Sequence, residues 1–251
     1  MNSSHSQDRK VAIVTGASRG IGAAIARRLA RDGHAVVVNY AGNATEAAKV
    51  VDAIAAAGGA AVAVQANVAD SADARRLFDE AVAAFGHVDV LVNNAGVMAA
   101  ALPMLADTDD ATFDRLFDIN VKGSFNTMRE AATRLRPGGR IVNFSTSVIG
   151  LALPGYAIYA ATKGAIEVMT NILAKEMRGR QITVNAVAPG PTATALFFDG
   201  KTSEQIERMS KMAPLERLGE PEDIAGTVAM LVGQDAGWIN GQTLRANGGL
   251  V

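Results

Sequence analysis

Two side chains capable of acid–base chemistry, Tyr159 and Lys163, lie four residues apart in a segment whose pattern predicts a helix. This spacing places both side chains on one helix face, one turn apart. A tyrosine has a pKa of about 10 in water, and we expect the neighbouring ammonium to lower the pKa of Tyr159 toward neutral. Such a phenol can give a proton to a ketone oxygen while a bound cofactor gives hydride to the carbon. The pair is therefore a candidate for a catalytic centre of carbonyl reduction, although the same spacing alone is also typical of a lysine stem that packs beside a half-buried ring.

A glycine-rich turn supplies a place for that cofactor. It follows a short apolar run at 11–14, leads into a segment of helical character, and has the spacing Gly-x-x-x-Gly-x-Gly. Gly16 permits a tight turn, Gly20 lets the backbone approach a pyrophosphate, and Gly22 allows the helix to pack close to the sheet. The predicted dinucleotide contacts in this turn are Gly16, Ser18, Arg19, Gly20, Ile21 and Gly22.

The residues that end the second predicted strand favour NADP(H) over NAD(H). NAD-selective sites commonly carry an acidic side chain there, which binds the adenosine ribose. This chain has Asn39, Tyr40 and Ala41 instead. Arg19 could pair with a 2′-phosphate through charge-assisted hydrogen bonds. We therefore predict that these four residues surround the ribose and that NADP(H) is the preferred cofactor.

The elements that must position these residues alternate along the chain. Short apolar runs are separated by longer alanine-rich segments of helical period, which is typical of α/β proteins with a parallel sheet covered by helices on both faces. The predicted strands are 11–14, 35–38, 61–64, 88–92, 140–144 and 182–187, with a last strand near 242–245. The predicted helices are 21–32, 44–57, 71–85, 111–135, 156–178 and 221–233.

Length and composition narrow the class of protein. The 251 residues are 49% hydrophobic and 20% charged, which predicts a flexible amino terminus at 1–9 and one dinucleotide-binding and catalytic domain over 10–251. Within that domain, the proline-containing segment at about 190–213 interrupts the alternation and predicts a substrate flap. A net charge of −1 argues against nucleic acid as a partner. The absence of cysteine and the presence of only three histidines predict no metal site.

The sequence also contains no apolar stretch of the roughly 18 residues that a membrane helix needs, and no pattern of a signal peptide. We therefore predict a cytoplasmic protein with no membrane partner.

Further motifs follow the glycine turn in a fixed order: Asn93-Asn94-Ala95-Gly96, then Asn120, then Tyr159-Ala160-Ala161-Thr162-Lys163, then Pro189-Gly190. From about Lys10 to the end, this set resembles the short-chain dehydrogenase/reductase family, and within it the group of 3-oxoacyl-[acyl-carrier-protein] and tetrahydroxynaphthalene reductases. The resemblance implies a three-layer, doubly wound Rossmann fold with a seven-stranded parallel sheet in the order 3-2-1-4-5-6-7. It also implies an NADP-dependent enzyme that interconverts ketones and secondary alcohols.

The resemblance assigns further cofactor contacts. It implies that Asn94, Ala95 and Gly96 lie beside the adenine ribose and that Asn67 and Val68 flank the adenine ring. Near the nicotinamide it implies a lysine bond to the ribose, and a threonine bond to the carboxamide from Thr194, with Thr192 as a second candidate. The contacts implied at this end are Tyr159, Lys163, Pro189, Gly190, Thr192 and Thr194.

Two further catalytic elements come from the same resemblance. Asn120 is expected to hold a water molecule that completes a proton relay. A hydroxyl at the end of the fifth strand is expected to bind the substrate oxygen and stabilise its developing charge. Counting along the strand and back from Tyr159 gives Thr146, whereas matching the family's Ser-Val-x-Gly gives Ser147. Adjacent residues on an extended strand point in opposite directions, so only one of the two should face the substrate.

The predicted substrate pocket is mostly apolar, with walls from 97–98, 151–156 and 193–212. It suits a hydrophobic ketone, and we expect first a 3-oxoacyl thioester carried on acyl carrier protein or coenzyme A. A broad-specificity ketone, steroid or sugar dehydrogenase is the alternative, as is a catalytically silent NADP-binding sensor. The family also forms tetramers through helices resembling 111–135 and 156–178, which predicts a homotetramer.

Overall fold

The strands form one parallel sheet. The computed structural model describes residues 9–99 and 101–251, so positions 1–8 of the predicted flexible terminus lie outside the described residues. The sheet has seven strands in the order β3-β2-β1-β4-β5-β6-β7, which confirms the predicted fold class and topology. The strands are β1 (Val11–Val14), β2 (Ala35–Tyr40), β3 (Ala60–Gln65), β4 (Val90–Asn93), β5 (Arg140–Phe144), β6 (Thr183–Pro189) and β7 (Thr243–Ala246).

Helices connect successive strands, and short helices lie in the longer loops. The long ones are α1 (Gly20–Arg31), α2 (Ala44–Ala56), α3 (Ser71–Phe85), α5 (Gly123–Arg134), α7 (Ala157–Glu176) and α10 (Pro221–Val232). The short ones are a 3₁₀ turn (Leu105–Asp107), α4 (Asp110–Leu116), α6 (Val148–Leu151), α8 (Ala195–Phe198) and α9 (Ser203–Ser210). No helix among the described residues is both long enough and apolar enough to cross a membrane.

Two hydrophobic cores lie on opposite faces of the sheet because successive strand residues point to opposite sides. In β1, Ala12 and Val14 pack in the core beneath α1, α2 and α10. Ile13, between them, packs in the second core, to which α3, α5 and α7 contribute Leu77, Met128 and Leu173. The result is three layers, with helices covering both faces of the sheet.

The helix predicted at 111–135 is not uniform. It begins as α4, passes through a π-helical segment over Phe117–Lys122, and continues as α5 to Arg134. Asn120 lies in the wider segment, where its side chain bonds the backbone of Val97 instead of facing solvent. Gly123 follows, and a Cβ there would come within 2.8 Å of Val68 Cγ2. The helix predicted at 111–135 is therefore confirmed in its extent, whereas the π-helical segment inside it was not predicted.

The strand order reverses between β3-β2-β1 and β4-β5-β6-β7. The chain passes from β1 to β2 on one side and from β4 to β5 on the other side. These two connections diverge and leave a crevice between them, at the carboxyl ends of β1 and β4. The glycine turn follows β1, the Asn94–Gly96 segment follows β4, and the segment containing α8 and α9 follows β6. The topology thus brings all three predicted cofactor-binding segments to one edge.

Candidate active site

The glycine turn is held by side chains and backbone from the end of β4. Gly16 has a φ of 62°, and a Cβ there would lie 2.9 Å from Ala95 Cα. A Cβ on Gly22 would lie 2.4 Å from the Gly16 oxygen and 2.5 Å from Asn94 Nδ2. Asn94 Nδ2 in turn donates to the Thr15 and Gly16 carbonyls at 2.9 and 3.0 Å. Both glycines are therefore required by close approach.

The amino end of α1 fits the phosphates of a dinucleotide. Arg19 occupies the N-cap position, and its side chain makes no capping bond to the first helical N–H groups. Such free N–H groups together with the helix dipole favour an anion. Ser18 is half-buried, Arg19 is exposed and Ile21 lines the neighbouring cavity. The turn, its glycines and the uncapped helix end therefore suit the pyrophosphate of NADP.

Asn39 does not occupy the position that the sequence predicted. Its side chain is 2% exposed, and Nδ2 donates to the carbonyls of Val64 and Ala66 at 3.3 and 3.0 Å. Its Oδ1 accepts from the Gly16 N–H at 3.2 Å. All of these partners are backbone groups, so the predicted contact of this side chain with the ribose is corrected: Asn39 shapes the turn. The exposed neutral residue after β2 is Ala41.

The predicted adenine contacts lie just past β3. Asn67 is exposed, and its Oδ1 accepts from the Ala69 N–H at 3.2 Å. Val68 is buried, and its carbonyl accepts from Asn126 Nδ2 at 2.9 Å. Asn67 therefore lies exposed in the loop at the carboxyl end of β3, whereas Val68 joins this loop to α5.

Tyr159 and Lys163 share one face of α7 beside the cavity, as predicted. Lys163 Nζ lies 5.8 Å from the centre of the Tyr159 ring and donates to the Phe144 carbonyl at 2.9 Å. Burial raises the pKa of Tyr159 to about 12, while a hydrogen bond with the Thr146 side chain acts in the opposite direction. Burial also lowers the pKa of Lys163 to about 8.

The expectation that Lys163 lowers the pKa of Tyr159 was therefore wrong. Both side chains lie in a poorly solvated place, where the uncharged form of each is favoured. The phenol consequently keeps its proton at neutral pH and can give it only to a stronger base, such as the alkoxide that forms when hydride reaches a ketone.

The two candidate hydroxyls at the end of β5 have different partners. Thr146 Oγ1 accepts from the Val148 N–H at 3.3 Å, and the effect of this side chain is to lower the pKa of Tyr159. Ser147 Oγ donates to the Ala188 carbonyl at 3.0 Å and accepts from Asn247 Nδ2 at 3.0 Å. Ser147 therefore joins β6 to the carboxyl-terminal segment, whereas Thr146 is the candidate nearer in effect to Tyr159; which hydroxyl binds the substrate oxygen stays a prediction.

Asn120 is fully buried between the cavity wall and α7. Its Oδ1 accepts from the Val97 N–H at 2.8 Å, and Nδ2 donates to the Val97 carbonyl at 2.9 Å and to Thr162 Oγ1 at 3.1 Å. A Cβ on Gly96 would meet Asn120 Oδ1 at 3.2 Å and Lys163 Nζ at 3.4 Å. Asn120 thus holds the wall immediately beside Lys163, and its role in a water relay stays a prediction.

The segment after β6 closes the cavity from the other side. Thr194 caps α8 by accepting from the Phe197 N–H at 3.2 Å, and its methyl group faces Gly20 across the crevice. Thr192 is buried, and its hydroxyl donates to the Gly190 carbonyl at 2.9 Å. Both threonines and Pro189 line the cavity, so the predicted nicotinamide-side residues do converge.

The cavity lining includes residues of the predicted walls at 151–156 and 193–212 to which no individual role was assigned. Tyr156 and Met209 contribute to its apolar lining, and Lys201 reaches it from the loop between α8 and α9. The signal in the sequence that could have identified Lys201 as a cavity residue is its positive charge in a mostly apolar segment. Among residues 9–99 and 101–251, no group of three or more His, Asp or Glu side chains is placed to hold a metal ion.

The sequence and the fold match known proteins closely. A family model described as enoyl-(acyl carrier protein) reductase matches residues 16–251. A short-chain type dehydrogenase/reductase from Picea abies is 46% identical over 96% of this chain and 92% of its own length. An NADPH-dependent aldehyde reductase-like chloroplastic protein from Arabidopsis thaliana is 44% identical over 96% and 94%.

Solved structures agree with these relatives. A short-chain dehydrogenase from Burkholderia cenocepacia in complex with NADP has a TM-score of 0.91 at 37% identity, covering 98% of this chain and 99% of its own. An angucycline C-6 ketoreductase with bound NADP has a TM-score of 0.90 at 38% identity, covering 96% of this chain and 95% of its own.

Proposed function

We propose that this chain, which belongs to the short-chain dehydrogenase/reductase family, reduces a ketone to a secondary alcohol with hydride from NADPH. The observation that carries the proposal is the meeting of Thr146, Tyr159 and Lys163 in one cavity with the segment after β6. The glycine turn borders this cavity through Ile21. A proton donor and a dinucleotide cradle therefore share one crevice.

The chain's own residues supply binding and the proton. The glycine turn and the amino end of α1 hold the pyrophosphate, and Lys163 reaches the nicotinamide ribose. When bound there, NADPH supplies the hydride. Thr146 donates a hydrogen bond to the ketone oxygen, and Tyr159 gives its proton to that oxygen as negative charge develops on it. The phenol of Tyr159, with a pKa of about 12, is protonated at neutral pH and can still give its proton to an alkoxide, which is a stronger base than the phenolate.

The proposed preference for NADP(H) over NAD(H) depends on the residues at the start of α1 and directly after β2. Arg19 is exposed at the start of α1, and the residues directly after β2, Ala41 and Gly42, carry no acid that would repel a 2′-phosphate. An arginine fork matches the geometry of a phosphate. The names of the relatives support the same cofactor, since one is NADPH-dependent and two neighbours contain NADP.

The apolar lining favours a hydrophobic ketone. A 3-oxoacyl thioester, carried on acyl carrier protein or coenzyme A, is the first substrate class to test. The angucycline ketoreductase and a probable tetrahydroxynaphthalene reductase among the relatives favour polycyclic aromatic ketones as a second class. Both classes present a carbonyl beside a large apolar group, which the walls formed by Met98, Leu151 and Leu153 would contact.

The test follows NADPH absorbance with a panel of substrates at neutral pH. The panel contains a 3-oxoacyl thioester, an enoyl thioester, a tetralone, a steroid ketone and a ketose, each with NADPH and with NADH. We expect NADPH-dependent formation of a secondary alcohol, identified by mass spectrometry, with at least one ketone. NADPH binding without turnover of any substrate would favour a sensor. Turnover of the enoyl thioester alone would mean that the protein reduces a carbon–carbon double bond and not a ketone.

We also propose a cytoplasmic homotetramer. Support comes from exposed apolar side chains on α7, where Val168 is 58% and Ile172 51% exposed, and from Trp238, which is 99% exposed. Faces of this kind commonly mark protein contacts. Light scattering at micromolar concentration should give four times the mass of one chain, and a monomer mass would reject the assembly.

A further inference from the structure

The flap places one unpaired cation in the cavity. The charged residues that line the cavity are Lys163 and Lys201, and its lining includes no aspartate or glutamate. Lys163 already donates to the Phe144 carbonyl at 2.9 Å. No described residue forms an ion pair with Lys201, whereas the neighbouring flap lysine, Lys211, pairs with Glu207 at 2.6 Å.

The surroundings of Lys201 remove part of its ammonium from water. Its ammonium lies 5.0 Å from the centre of the Phe197 ring, and both side chains line the cavity. Burial lowers the pKa of Lys201, and the negative charge of the nearby Asp199 offsets only part of that effect. An ammonium that is partly removed from water gains more from a charged hydrogen-bond acceptor than an exposed one does.

We propose that Lys201 binds an anionic oxygen group, such as a carboxylate, carried by the ketone substrate. The apolar walls would hold the hydrocarbon part, and the ammonium would select substrates that carry the anion. This inference rests on the proposed ketone reduction and narrows its substrate class to keto acids and other acidic ketones. Two other roles for Lys201 make different predictions: pairing with a phosphate of the cofactor, or simple packing of its stem against Phe197.

The test compares two ketones that differ only in charge, 4-acetylbenzoate and its methyl ester. We expect wild type to prefer the carboxylate, and Lys201→Met to lower the ratio of kcat/KM for carboxylate over ester about tenfold or more. Lys201→Arg should keep most of the preference because it retains the charge. The matched control is Lys211→Met, which removes a charge from the same flap and should leave the ratio within about twofold of wild type.

Three results would overturn the inference. An unchanged ratio in Lys201→Met would mean that the stem only packs. A similar fall with Lys211→Met would mean that the general charge of the flap matters instead. A rise in the Kd for NADPH with Lys201→Met, at an unchanged ratio, would assign the lysine to the cofactor.

The inference can fail separately from the proposed function. If no ketone is reduced, calorimetry of 4-acetylbenzoate binding to the NADPH-saturated protein still compares wild type with Lys201→Met. Weaker binding to the variant supports the anion site without catalysis, and equal binding rejects it.

Discussion

The wall and the flap of the cavity are built in different ways. The wall, from the ends of β4 and β5 and from α7, holds its polar side chains through buried bonds to distant parts of the chain. Asn120 is 0% and Lys163 is 5% exposed, and both bond to backbone carbonyls of other elements. In the flap, Leu196 is 46% and Phe198 42% exposed.

The side-chain bonds around α9 in the flap are also local. Thr202 and Gln205 form a capping box at the start of α9, and Lys211 pairs with Glu207 four residues earlier. Local bonds of this kind can open without disturbing the sheet. The difference predicts that the side chains proposed for proton transfer are held in place by the fold, whereas the flap that faces them opens more easily.

The sharpest way to break this comparison is Tyr159→Phe. We expect it to lower the rate of ketone reduction by about 10³-fold, because the proton donor is lost while the ring remains. Single-turnover measurement with saturating NADPH checks the effect. Tyr156→Phe is the control: this second tyrosine lines the same cavity with its ring 6.5 Å away, and it should cause a much smaller loss. Equal losses would deny Tyr159 a special role.

The pH dependence separates the two groups of the wall. Lys163 has a pKa of about 8 and Tyr159 a pKa of about 12. As pH rises through 8, Lys163 loses its charge while Tyr159 keeps its proton, so we expect reduction to slow about tenfold per pH unit. The residual activity of Lys163→Arg should lack this decline near pH 8, because a guanidinium stays charged. A decline that begins only above pH 10 in wild type would reject the assignment.

The close packing of the glycine turn can be tested with Gly22→Ala. The added methyl group meets the Gly16 oxygen at 2.4 Å, so we expect the Kd for NADPH to rise tenfold or more. The free energy of unfolding should fall by about 1–3 kcal/mol. Fluorescence titration and urea unfolding measure the two effects. In Gly226→Ala the nearest atom lies 3.7 Å away, and this helical control should be neutral or slightly stabilising.

The choice of cofactor depends on a more exposed contact. We expect Arg19→Gln to weaken NADPH binding about fivefold and to leave NADH binding unchanged, since only NADPH carries the 2′-phosphate. The effect is modest because Arg19 is exposed and water screens its charge. Arg27→Gln removes an exposed arginine further along α1 and is the control. Equal weakening of both cofactors by Arg19→Gln would place the side chain elsewhere.

The smallest effect should be confined to the flap. Thr202→Ala removes the cap of α9, which typically stabilises a helix by about 1 kcal/mol. Hydrogen exchange should therefore become about fivefold faster for amides of Ser203–Ser210 and stay unchanged for α7. Faster exchange in α7 as well would show that flap and wall open together, contrary to the comparison drawn above.

Most of the fold could be predicted from the sequence, because its signals are local. The β-branched runs and alanine-rich segments already separate strands from helices, and the motif order implies the sheet topology. The π-helical segment could not be predicted, since it accompanies a contact between Asn120 and Val97, 23 residues apart in sequence.

The candidate site divides in the same way. Tyr159, Lys163 and the glycine turn carry a local pattern, and the structure brings them to one edge. The role of Asn39 was missed because its partners belong to β3 and the following residue. The choice between Thr146 and Ser147 depends on Asn247, 100 residues from Ser147, and no spacing within the motif reveals that bond. The direction of the Tyr159 pKa shift likewise depends on burial, which the sequence does not display.

The amide of Asn94 has a thermodynamic consequence. Because it joins the loop after β1 to the loop after β4 across 79 residues, the nucleotide meets a receptor that already has its final shape. Association should then lose little chain entropy, and the heat capacity change measured by calorimetry should reflect buried apolar area alone. Substituting Asn94 would convert a rigid receptor into one that must be ordered by its own ligand.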